Sequence, residues 1–223
     1  MKREIAALSL AMFAGAASAD VTVGVDDSTA PWLGFMNVFN LPAPDGDGAY
    51  QFGSPWGVPD LTANFNDGAG TLTLGPNTIG DPDPYWYIGG GGPGAAGNKI
   101  MEANLYQELT GVINGEVVNF EGVVLSDTFT SAHQATIFIR DFAPDFSSVV
   151  EVSVPLDAGA FSLSLATIND PARHIQWGFQ VKGVNVWATD VAPFGNAVIA
   201  QIPAPASAAL LGLGGLVAAR RRR

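Results

Sequence analysis

The sequence predicts an all-β protein, an antiparallel β-sandwich of the jelly-roll or immunoglobulin-like kind. Three observations predict it. Short runs rich in Val, Ile, Thr and Phe alternate apolar with polar residues. Turn signals separate those runs roughly every ten residues, the cadence of a sandwich. Glycine (27) and proline (15) are frequent, whereas Ala/Leu/Glu/Lys runs at helical spacing are absent between residues 20 and 200. A closed barrel is the alternative.

The expected strands follow in order. Residues 21–25 open the series, and 32–39, apolar throughout, form a buried strand. Residues 70–74 (GTLTL) make a short strand, and 99–108 fit either a strand or one helical turn. In the second half the strands are 117–126, 134–142, 148–156, 160–167, 175–188 (bent or split at Gly183) and a short one at 196–200. Within 160–167, Phe161, Leu163 and Leu165 alternate with Ser162, Ser164 and Ala166. Successive side chains of a strand point to opposite faces, so the three large apolar groups share one face. Pro155, Asp157-Ala158-Gly159 and Asn169-Asp170-Pro171 supply turns. The stretches 41–48 and 75–98 are turn-rich. One sandwich over residues 20–200, with long loops in its first half, is the preferred organisation. An N-terminal β unit packed on a sandwich that begins near Ile100 is the second.

The two ends are of another character. Lys2 and Arg3 precede an apolar stretch, followed by Ala17-Ser18-Ala19 and Asp20. A basic head, a short apolar core and an A-x-A site make a secretory signal peptide over residues 1–19, cut between Ala19 and Asp20. At the other end, Pro203-Ala204-Pro205 leads into an Ala/Leu/Gly run and closes with Arg220, Arg221, Arg222 and Arg223. Proline restricts its neighbours and interrupts a helix. Residues 206–219 as a helix would be about 21 Å long at 1.5 Å per residue, short of the roughly 30 Å hydrocarbon core. The arginines would stay on the cytoplasmic side and leave the folded part outside.

That C-terminal pattern resembles the PEP-CTERM sorting domain over residues 201–223, with Ala204 where the family usually carries glutamate. The resemblance implies a temporary inner-membrane anchor, read by an exosortase-like enzyme after signal peptidase has acted. It further implies a final location at the cell surface or in an exopolysaccharide-associated matrix.

Cysteine is absent, so disulfides are excluded and stability rests on packing. Between the two ends only Lys99, Arg140, Arg173 and Lys182 face twenty acidic side chains. So acidic a surface repels nucleic acid and leaves divalent cations as a conceivable cofactor. Asp45-Gly46-Asp47-Gly48 resembles the start of a calcium loop, but the later ligands are missing and an Asp-Gly turn is the simpler reading.

Asp81-Pro82-Asp83-Pro84 precedes Tyr85, Trp86 and Tyr87, and a glycine-rich run follows. Aromatics beside carboxylates suit sugar rings, so these three are the candidate ligand platform; packing into the core is the competing role. The glycines lack the Lys-Ser/Thr of a phosphate loop. His133 and His174 stand outside any metal-ligand spacing, and no Gly-x-Ser-x-Gly elbow occurs. No catalytic residue is assigned. The expectation is an exported, non-catalytic surface or matrix protein. A secreted carbohydrate-binding module is the alternative, and a glycan hydrolase with an acid pair is a third.

Overall fold

The computed structural model describes residues 20–202. The signal-cleavage residues Ala17 and Ala19, and the sorting residues Pro203, Ala204, Pro205 and Arg220 to Arg223, lie outside the described residues; Asp20 is the first described and is exposed. The protein is a two-sheet β-sandwich. Its strands are β1 (Val21–Val23), β2 (Leu33–Asn40), β3 (Tyr50–Pro55), β4 (Ala63–Asn66), β5 (Thr71–Leu74), β6 (Lys99–Thr110), β7 (Val117–Asp127), β8 (His133–Phe142), β9 (Val149–Pro155), β10 (Gly159–Ala166), β11 (His174–Val184) and β12 (Ala197–Ala200). No helix among the described residues is long and apolar enough to cross a membrane.

The first sheet is antiparallel throughout, in the order β3-β2-β6-β11-β8-β9. In the second, β10 runs antiparallel along one edge of β7. The other edge of β7 is shared by β1, which is parallel to it, and β12, which continues to β5 and β4. Strands from the first half of the chain are thus members of both sheets, and each sheet keeps open edges.

Period-two alternation assigns the faces. Along β6, Met101, Ala103 and Leu105 turn inward, and Glu102, Asn104, Tyr106 and Glu108 turn outward. Along β11, Ile175, Trp177, Phe179 and Val181 fill the core. From the second sheet come Val118, Phe120, Leu163, Leu165, Leu72 and Ile199. Phe120 bridges the sheets, with ring centroids 5.1 Å from Phe161 and 5.6 Å from Phe179. Burying a phenylalanine of this kind contributes about 1.5–3 kcal/mol.

Two local expectations need correction. Strands β3 and β4 were not anticipated: YQFGSP contains glycine and proline, and ANFN is half polar. Hairpin pairing to β2 and to β5 makes them strands, because tertiary pairing overrides weak propensity. Gly183 does not split β11, which pairs without a break from His174 to Val184 on β6. Residues 99–108, which fitted either a strand or a helical turn, are strand.

The 75–98 stretch is anchored across the end of the sandwich. Asn185 Oδ1 accepts the backbone N–H groups of Asn98 and Lys99 at 3.1 and 2.9 Å, and its Nδ2 donates to the Trp86 carbonyl at 2.8 Å. Asn77 Nδ2 donates to the carbonyls of Met101 and Val181. One further polar staple lies at the opposite end. Arg173 Nε donates to Asp141 Oδ1 at 2.5 Å, and the Ile168 N–H donates to Asp141 Oδ2 at 2.8 Å, with both side chains buried.

Candidate functional site

The aromatic triplet expected to form a platform goes elsewhere. Tyr87 is fully buried and Trp86 nearly so. The Tyr87 hydroxyl donates to the Ile79 carbonyl at 2.6 Å, and its ring packs edge-on against Trp187. Trp86 meets Phe52 edge-on. The physical reason is the long 75–98 connection. A loop that covers an open end of the core must bury apolar anchors there, and these rings supply them. Only Tyr85 stays partly exposed, its ring beneath Lys99 Nζ at 4.4 Å.

The Asp45 and Asp47 pair belongs to the loop between β2 and β3. Asp47 Oδ1 accepts from the Ala49 N–H at 2.9 Å and from Asn40 Nδ2 at 2.8 Å. Those two bonds, the backbone one foremost, hold its carboxyl below the usual carboxylate value. The Asp45 N–H turns back to the Pro42 carbonyl. This is the hydrogen bonding of a tight turn. Among the described residues no group of three His, Asp or Glu side chains could hold a metal ion.

The outward face of the first sheet carries the strongest concentration of recognition groups. A groove of about 490 Å³ crosses it, from Pro55 on β3 through Phe35 and Asn37 on β2, Asn104, Tyr106 and Glu108 on β6, and Gln176 on β11. It ends at Arg140 and Phe142 on β8 and at Phe146 in the β8–β9 turn. Its size lies within the range of small-ligand sites. The register explains the convergence. Glu108 stands opposite Gln176, which stands opposite Arg140, which stands opposite Glu151. Phe35, Asn104, Gln180 and Thr136 form a second such row. Neighbouring strands lie about 4.8 Å apart, so the first row is a ladder of closely spaced polar groups and the second runs from an aromatic ring into three polar ones.

These groups hold one another in place. Arg140 Nη1 donates to Asn104 Oδ1 at 2.8 Å, and Gln180 Nε2 donates to the same oxygen at 2.9 Å. Arg140 Nε donates to Glu151 at 2.7 Å, and the guanidinium lies 3.8 Å above the centre of the Phe138 ring. Glu108 accepts from Gln176 Nε2 at 2.7 Å and from His174, through Nδ1, at 3.1 Å. Glu102 accepts from Asn37 Nδ2 and Lys182 Nζ, both at 3.0 Å. Two ion pairs, Arg140–Glu151 and Lys182–Glu102, and the His174–Glu108 contact therefore lie on this one face. Burial, reinforced by the Glu108 carboxylate and opposed by Arg140, raises the Tyr106 phenol above its ordinary value. At neutral pH Tyr106 is an O–H donor aimed into the groove.

Phe146 forms the lip. Its ring stacks on His174 with centroids 4.4 Å apart and planes 19° apart, and the residue is 54% exposed. Its φ of +58° is uncommon for a bulky side chain.

Sequence reasoning singled out none of these residues as a site. The period-two pattern of residues 99–110 places Glu102, Asn104, Tyr106 and Glu108 on one face once the strand is accepted. Outward polar residues are ordinary on any half-exposed strand, however, so the pattern marks no site until neighbouring strands are aligned.

No protein-family model matches the chain, and no curated protein matches it. Among solved structures the chain is similar to TmCBM61 in complex with β-1,4-galactotriose, solved at 1.4 Å resolution. The TM-score is 0.34 and the identity 10%, over 77% of this chain and 86% of that one.

Proposed function

We propose that the protein is an exported, non-catalytic component of the cell surface or extracellular matrix, and that it holds a polysaccharide in the groove on the outer face of its first sheet. The observation that supports this most is the composition of that groove. Fixed amide, guanidinium, carboxylate and phenol groups lie between aromatic rings, and sugars need that mixture: polar edges for hydroxyls and apolar faces for ring C–H surfaces. The acidic surface disfavours nucleic acid. Each carboxylate of the groove already accepts from an amide or a cation, which favours orientation of a ligand over proton transfer to it. The ends of the chain support the address: a signal peptide at 1–19 and a PEP-CTERM-like segment at 201–223, with signal peptidase and an exosortase-like enzyme as partners and transient anchoring in the inner membrane.

Affinity electrophoresis of the exported protein through gels containing a panel of polysaccharides tests the binding. Retardation by at least one glycan is expected, and migration unchanged on every glycan removes the reading. Intact-mass measurement of the extracellular protein tests the sorting. Material beginning at Asp20 and lacking the terminal arginines is expected. Full-length chains in the cytosol would refute export.

A further inference from the structure

Resting on that reading, we infer that the groove selects an uncharged glycan over an acidic one, with Phe146 as the stacking lip and the Tyr106 hydroxyl as a donor to a sugar hydroxyl. The argument begins with charge. Arg140 and Lys182 are the cations of the face, against Glu102, Glu108 and Glu151. The face thus has no cationic surplus, and it belongs to a domain with four basic and twenty acidic side chains. These carboxylates lie within a Debye length, about 8–10 Å, of anything bound between them.

Arg140 is also already engaged within the face. Its Nε is taken by Glu151 and its Nη1 by Asn104. A carboxylate is held most firmly by two parallel N–H donors of one guanidinium. Nε is one arm of the guanidinium's side-on fork, so that edge is already occupied by Glu151. The N–H groups left on its Nη atoms suit single bonds to the hydroxyl oxygens of a neutral sugar. The Tyr106 phenol, which carries its proton at neutral pH as phenols do, likewise donates to a hydroxyl.

Phe146 supplies the apolar part. One ring face is covered by His174 and the residue is half exposed, so the ring presents surface to the groove. The turn is closed by the Phe146 N–H donating to the Ala143 carbonyl at 2.8 Å and by Asp145 accepting from Ser147. Glycine would adopt this backbone at lower cost. A bulky aromatic in the left-handed region is a conformational expense of the sort that clusters at ligand sites.

The test compares the full exported protein with its Tyr106→Phe and Phe146→Ala variants. Gels contain xylan, glucomannan or galactan as uncharged probes, and polygalacturonate or alginate as acidic ones, each at low and high salt. Retardation by an uncharged glycan is expected, nearly independent of salt, and each variant weakens it about fivefold through one lost hydrogen bond or stacking contact. Tyr106→Phe keeps the ring and its packing, so a loss there is not a folding defect. Salt-sensitive retardation by an acidic glycan that Tyr106→Phe weakens would leave the groove reading standing and overturn the selectivity. Retardation that neither variant alters would overturn both readings, as would the absence of retardation.

Discussion

Replacing Asp141 by alanine is expected to destabilise the protein more than any surface change. Asp141 is fully buried on β8 and Arg173 nearly so. The carboxylate accepts from Arg173 Nε and from the Ile168 N–H, and Arg173 Nη2 donates to the Asp141 carbonyl. Removing the carboxylate leaves a buried cation with only that carbonyl, and the Ile168 N–H without its acceptor. Breaking a buried pair from one side costs about 3–5 kcal/mol. For a domain of roughly 180 residues each kcal/mol moves the melting temperature by about 2–4 °C. A fall of about 6–20 °C is therefore expected. Urea unfolding, with the midpoint and slope fitted together, measures the free energy directly. The double variant Asp141→Leu with Arg173→Met is expected to recover most of the loss, because no charge is then left unpaired. A loss below about 1 kcal/mol for Asp141→Ala, or effects of the two positions that simply add, would refute the reasoning.

Further outcomes follow from the same structure. Gly178→Ala places a Cβ 2.1 Å from the Leu105 carbonyl oxygen, a backbone atom of the neighbouring strand. It should cost about 1–3 kcal/mol by urea unfolding and abolish glycan retardation, because β11 must shift away from Tyr106. His133 is buried, which lowers its pKa from 6.5, while its bond to the Val184 carbonyl opposes that shift. Its folded value lies below its unfolded one, so the unfolded chain binds the extra proton. Its contribution to stability is complete above pH 6.5 and declines as pH falls from there toward the folded value. Unfolding free energies across that window should therefore drop less steeply in a His133→Gln variant. Asn185→Leu leaves the Lys99 N–H without its acceptor and removes one of the two bonds made by the Asn98 N–H and by the Trp86 carbonyl, which stay bonded to each other at 2.8 Å, at about 1–3 kcal/mol for the group left unpaired. Limited proteolysis should then cut first within 89–94.

Local alternation carried most of the strand assignments. In β10, Phe161, Leu163 and Leu165 turn to the core and Ser162 and Ser164 to solvent, as their spacing requires. The pattern was silent at β3 and β4, whose strand character comes from pairing with a neighbour and not from composition. It left Tyr85, Trp86 and Tyr87 open between a ligand platform and the core, and the structure buries Trp86 and Tyr87 while Tyr85 stays exposed. Adjacent aromatics in a proline- and glycine-rich segment look exposed when the segment is read alone. Whether a loop lies over solvent or over an open core depends on parts of the chain far away in sequence, here Asn185, Val186 and Trp187.

The sequence by itself determined the β class and the inward and outward sets of the strands it marked, because period-two geometry is a local property. Only the tertiary structure decided which outward sets meet. Glu108, Gln176, Arg140 and Glu151 come from four strands in the sheet order β6-β11-β8-β9, and nothing in their spacing foretells that order. Strand order is set by how the two sheets cover a common core, a cooperative property of the whole chain, and the groove inherits its chemistry from that choice.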